Sequence, residues 1–218
     1  MNSSILRFFS LARVFTIVAA ISFVCISPAL SQEKQFRIVA LGGSSTYGHL
    51  LEHRNQAYPA KLEAALKAKG VNATVVNAGI SGDTTVGGLA RLDKDVPAGT
   101  DIVILELGIN DASQGIGVPA TRANLQKIID TVRARGARVL LIGYRGSESW
   151  IVPFAQSLKV RGMGFNFPDN GNSKYRLAND PQLRTKGFAH FNAAGYDKIV
   201  ETMVPQILTM IENIKKAN

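Results

Sequence analysis

Cysteine is nearly absent: the 218 residues hold one, Cys25. A lone thiol forms no internal disulfide, and zinc sites built on cysteine pairs are excluded. Long apolar runs are missing too. The mostly apolar stretch from Val14 to Ile26 falls short of the roughly 20 residues a bilayer span needs. No later segment approaches even that length, which excludes a polytopic membrane protein. There is no Walker phosphate loop. There is also no Gly-x-Ser-x-Gly elbow, because the residue two after Ser44 is Thr46, and that argues against the α/β-hydrolase fold. Gly115-Ile116-Gly117-Val118-Pro119-Ala120 imitates a dinucleotide fingerprint but does not directly follow a strand, so no nucleotide cofactor is expected. What remains is 46% hydrophobic and 19% charged, which excludes disordered, collagen-like and coiled-coil chains.

The first 31 residues carry Arg7 and Arg13, no acid, the apolar stretch, and then Ser27-Pro28-Ala29-Leu30-Ser31. This is the pattern of a secretory signal peptide cut after Ser31. The expectation is a signal segment over 1–31, a single domain over 32–218, and a periplasmic or secreted location. Cys25 is not read as a lipid-attachment site, because Phe23-Val24 lacks the small residue such a site needs. Removing the two arginines lowers the net charge from +9 to +7. The basic residues are scattered without interleaved aromatics, so nucleic acid is not the expected partner. Peripheral contact with acidic lipid head groups or anionic polysaccharides fits better. The sequence carries no signal for an oligomeric state.

Past the leader, strands alternate with helices. Phe36–Leu41, Thr74–Asn77, Ile102–Leu105 and Val139–Ile142 read as short strands, the third apolar on both faces as a buried parallel strand is. Ala57–Lys69, Thr84–Leu92, a segment around Leu125–Val132, and Ala193–Lys215 show helical spacing, with Gly70 and Gly136 as stops. Pro205 is expected to kink or split the last helix. This order predicts right-handed crossovers and a three-layer α/β fold with a flavodoxin-like parallel sheet. Residues 144–191 show little periodicity, and Tyr144–Lys186 holds seven basic and three acidic residues. They are read as a long irregular segment covering one sheet edge, with a fifth strand near 162–167.

Ligands of an open α/β sheet bind beyond the carboxyl ends of its strands. The residues there are Gly42-Gly43-Ser44-Ser45-Thr46, Asn77-Ala78-Gly79-Ile80-Ser81-Gly82-Asp83-Thr84 and Glu106-Leu107-Gly108-Ile109-Asn110-Asp111, with Phe188-Ala189-His190-Phe191-Asn192 before the last helix. Together they supply a hydroxyl, a flexible backbone amide, a carboxamide and an imidazole. That set suits acyl transfer: Ser44 as nucleophile, His190 as base. The Ser44 and Gly82 N–H groups and the Asn110 side chain would be oxyanion donors. His49 and His53 have no evident third ligand and are read as surface histidines, so no metal is expected. Asp83 and Asp111 are read as capping carboxylates that support the loops. Glu106 is read as an acid behind the reacting groups, without an assigned role.

These blocks resemble those of the SGNH hydrolases, also called GDSL esterases and lipases, and in particular the thioesterase/lysophospholipase/arylesterase branch. Gly42-Gly43-Ser44 is similar to the family's Gly-Asp-Ser block. Asn77–Thr84, Gly108-Ile109-Asn110-Asp111 and Gly187–His190 follow in the family's order. The resemblance implies a flavodoxin-like sheet, ester hydrolysis without a cofactor, and Ser44, Gly82, Asn110 and His190 in the roles above. The substrate would be a small-molecule, lipid or glycan ester. Two positions depart from the pattern. Gly43 stands where the family has aspartate, and Gly187 stands where the triad aspartate would sit, three residues before His190. The expectation is therefore a Ser44–His190 dyad of reduced activity, or an acid recruited from elsewhere, with Asp180 the nearest candidate. The alternatives are a weak or inactive binder of acylated glycans or lipids, and an acyltransferase that uses an alcohol in place of water.

Overall fold

The apolar runs pair into one sheet. In the computed structural model, which describes residues 34–143, 150–164, 181–185 and 190–217, the strands are β1 (Phe36–Gly42), β2 (Ala73–Gly79), β3 (Ile102–Glu106), β4 (Arg138–Gly143) and β5 (Arg161–Gly164). All neighbours are parallel, and the order is β2-β1-β3-β4-β5. That is the flavodoxin-like order, whose switch point lies between β1 and β3.

Alternation along the strands builds two cores. Ile38, Ala40, Ile102, Ile104, Leu140 and Ile142 face one side. There they meet α2 (Tyr58–Ala68) and α7 (Ala193–Lys215). Val39, Leu41, Val103, Leu105, Val139 and Leu141 face the other. They pack on α4 (Leu92–Asp95), α5 (Val118–Ala134) and α6 (Ile151–Ser157). The short helices α1 (Ser44–Tyr47) and α3 (Thr85–Ala90) follow β1 and β2 at the carboxyl rim.

Three expectations need correction. Pro205 does not split α7, which runs unbroken over 23 residues. The proline lies on the exposed face, so the carbonyl it leaves unpaired meets water. Ile199, Met203, Ile207, Met210 and Ile211 are buried on the other face, each worth about 1.5–3 kcal/mol, which outweighs the roughly 3 kcal/mol cost of proline. The helix expected over Thr84–Leu92 is two short ones, broken at Arg91. Residues 150–164, expected to be irregular apart from a strand near 162–167, form α6 and β5. Ile151 and Ala155 bury one α6 face against the sheet, and β5 pairs with β4 over Arg161–Gly164. Residues 1–33, which hold the expected signal segment, and residues 144–149, 165–180, 186–189 and 218 lie outside the described residues.

Candidate active site

Register brings the loops together. Gly42 pairs with Gly79 on β2 and with Glu106 on β3, so three chain segments leave the sheet side by side at about 4.8 Å spacing. Gly42 leaves no room for a side chain: a Cβ there would lie 2.0 Å from Thr46 Oγ1 and 2.9 Å from the Glu106 carbonyl oxygen. The chain therefore turns sharply into α1, whose first residue is Ser44.

The fourth segment arrives as a small hairpin. The Thr185 N–H donates to the His190 carbonyl at 2.9 Å, and the Asn192 N–H donates to that of Leu183 at 3.0 Å. Asn192 also caps α7, accepting from the Gly195 N–H at 3.0 Å, and its Nδ2 donates to the Gln182 carbonyl at 2.7 Å. From α7, the Tyr196 hydroxyl donates to the Ser45 carbonyl at 2.8 Å. Helix α7 is thus tied to both the histidine hairpin and the serine turn.

The result is that His190 Nε2 lies 2.9 Å from Ser44 Oγ, across 146 positions of sequence. His190 is half-buried. Its pKa is lowered, by burial first and then by the charges of His49 and Arg184, so the ring is neutral at pH 7. Its other nitrogen, Nδ1, is buried and has no hydrogen-bond partner among the described residues. Asp180 and Gly187, the positions on which a third member was considered, lie outside the described residues.

Gly82 and Asn110 lie in the loops that follow β2 and β3. Gly82 has φ +82°, a left-handed conformation that favours glycine. Its carbonyl is held by Gln114 Nε2 at 2.8 Å. Neither its N–H nor that of Ser44 donates to a partner among the described residues. Asn110 Nδ2 donates to the Asp83 carbonyl at 2.8 Å and lies 3.5 Å from where a Gly43 Cβ would be, so the carboxamide faces the serine turn. Asp111 is buried and accepts from the Thr85 N–H and the Thr85 and Thr121 hydroxyls, which fixes the Asn110 loop against α3 and α5. Asp83 pairs with Arg91 at 2.7 Å.

The sequence reading left the roles of three groups unassigned or misplaced. His49, taken as a surface residue, has its ring 5.1 Å from that of His190 in an edge-on contact. Arg91, one of the scattered cations, is half-buried and ties β1 to β2 by donating to the Gly42 and Ala78 carbonyls. Glu106, which had no assigned role, lies beneath the serine turn with Thr46. Of these, only Glu106 had a local signal, a carboxyl closing an otherwise apolar strand. Among the described residues, no three histidine, aspartate or glutamate side chains converge to hold a metal, and no helix is long and apolar enough to cross a membrane.

Comparison with known proteins gives the family. The family model described as GDSL-like lipase/acylhydrolase matches residues 40–198. The chain belongs to that family. This GDSL-family chain is 35% identical over 130 residues to an arylesterase of Vibrio mimicus, covering 59% of this chain and 64% of that protein. It is 37% identical over 118 residues to the esterase TesA of Pseudomonas aeruginosa, covering 52% and 57% respectively. The match therefore spans less than two thirds of each curated relative. A crystal structure of TesA superposes with a TM-score of 0.66 at 27% identity, over 80% of this chain and 99% of that one.

Proposed function

We propose that this GDSL-family protein is a carboxylic ester hydrolase in which Ser44 is the nucleophile and His190 the general base. The observation that carries the reading is the 2.9 Å approach of Ser44 Oγ to His190 Nε2. His190 takes the hydroxyl proton as Oγ adds to the ester carbonyl. The oxyanion is met by the Ser44 and Gly82 N–H groups and by the Asn110 carboxamide hydrogen not bonded to the Asp83 carbonyl. The imidazolium returns its proton to the leaving alkoxide. Water, deprotonated by the same ring, then releases the acid and regenerates Ser44.

The reading implies a weakness. A ring that accepts from Ser44 through Nε2 carries its proton on Nδ1, and Nδ1 has no acceptor among the described residues. The imidazolium formed in the transition state is then stabilised less than in a full triad. Turnover below that of a full-triad relative is expected, and binding of acylated glycans or lipids with little hydrolysis is the limiting case of the same site. The relatives' printed names, arylesterase and esterase, support ester substrates, aryl esters among them. A periplasmic or secreted location rests on the pattern of residues 1–31, and contact with anionic surfaces on the basic charge. The test is p-nitrophenyl acetate hydrolysis by wild type and Ser44→Ala. Loss of turnover in the variant is expected; equal rates would remove the enzyme reading.

A further inference from the structure

One buried carboxyl has no part in the steps above. Glu106 is 3% exposed, and its Oε2 accepts from the Gly43 N–H at 3.2 Å and from Thr46 Oγ1 at 3.0 Å. These two donors flank Ser44. The Thr46 hydroxyl lies 3.1 Å from the Tyr58 hydroxyl. Because Thr46 donates to Glu106, Tyr58 donates to Thr46, which makes a chain from α2 through α1 to the end of β3. The Gly43 N–H is also shared with the Glu106 carbonyl at 3.0 Å, so the glutamate holds the turn by backbone and side chain together.

We infer that Glu106 is a positioning residue for Ser44: its carboxyl clamps Gly43 and Thr46 and so fixes the turn that presents the serine to His190. The inference rests on the esterase reading for its kinetic consequence, not for the clamp. The groups facing the carboxyl are Tyr58 from α2 and Tyr196 from α7, both held neutral by burial. The Arg91–Asp83 pair sits beyond, at the Gly42 carbonyl. Burial pushes the Glu106 carboxyl up to about 7, with the bonds from Thr46 and Gly43 opposing it. The ionised form accepts charge-assisted bonds, roughly twice as strong as neutral ones, so the turn is held best above neutrality. The acidic limb of the pH–rate profile should then contain two ionisations, His190 below its ordinary 6.5 and Glu106 near 7.

Glu106→Gln keeps the shape and removes the charge. With p-nitrophenyl acetate, kcat is expected to fall about ten-fold at pH 8 with KM changed less than two-fold, and the ionisation near 7 to vanish. Glu106→Asp should restore part of the rate and that ionisation. A Gln variant with wild-type kcat and an unchanged two-step profile overturns the inference. Should the Gln variant fail to fold cooperatively, Thr46→Val, which removes one of the two clamped donors, should lower kcat in a folded protein; unchanged kcat counts against the clamp. Ser44→Ala run in parallel separates the two readings. If it matches wild type, the esterase reading fails by itself, and the clamp is judged by amide hydrogen exchange. The Gly43 N–H, which keeps the Glu106 backbone carbonyl but exchanges its charged side-chain acceptor for a neutral amide, should then exchange faster in Glu106→Gln, and an unchanged rate refutes it.

Discussion

Giving His190 an acceptor for its bare nitrogen is the sharpest perturbation. Gly187→Asp puts a carboxylate three residues before the histidine, where the family resemblance places the triad acid. Nδ1 is buried and has no partner among the described residues, so a carboxylate there adds a charge-assisted hydrogen bond of about 1.5–3 kcal/mol to the imidazolium. At about 1.4 kcal/mol per decade, kcat should rise roughly ten- to hundred-fold. The ceiling is the roughly 10⁴ lost when serine proteases lose the orienting function of their aspartate. The same carboxylate should move the acidic limb. His190 is now held below its ordinary value by burial, His49 and Arg184; an adjacent anion favours the charged ring and raises its pKa. Stability follows with the opposite signs. With a lowered histidine pKa, wild type loses stability as pH falls through the folded value, because the unfolded chain binds the proton first. In the variant, the raised pKa makes that contribution present at low pH and lost as pH rises. Initial rates on p-nitrophenyl acetate from pH 5 to 9, with urea unfolding at the same pH values, measure both. Turnover within two-fold of wild type with an unmoved acidic limb would refute the reasoning.

Other perturbations probe the frame around the site. Asp111→Asn replaces one acceptor by a donor facing the Thr85 N–H and two hydroxyls. It should cost about 2–4 kcal/mol in urea unfolding, and it should lower kcat more than KM because Asn110 is displaced. Gly42→Ala places a methyl 2.0 Å from Thr46 Oγ1, with the Glu106 backbone on its far side. The clash should cost about 1–3 kcal/mol and reduce turnover by shifting α1; an unchanged unfolding midpoint would contradict the packing described.

The sequence by itself determined the layers and which segments meet at the rim. Apolar runs such as Ile102–Leu105 are too hydrophobic to sit anywhere but inside a covered parallel sheet, and the amphipathic spacing of α2, α5 and α7 supplies the cover. Once the strands are parallel, every loop after a strand lands on one edge, which is why Ser44, Gly82 and Asn110 were legible as neighbours. His190 was legible through its place before the last helix. Periodicity failed where burial overrides local preference: it marked Pro205 as a break, and it missed α6 within a glycine- and proline-rich stretch. Only the tertiary structure decided what each side chain touches. Glu106 became a buried clamp because Gly42 lies beside it in register and lets the turn descend onto it. His49 met His190 across more than half the chain, and Arg91 was drawn inward by two strand-end carbonyls. Contacts of that kind depend on distances set by the whole sheet, and no local pattern of residues encodes them.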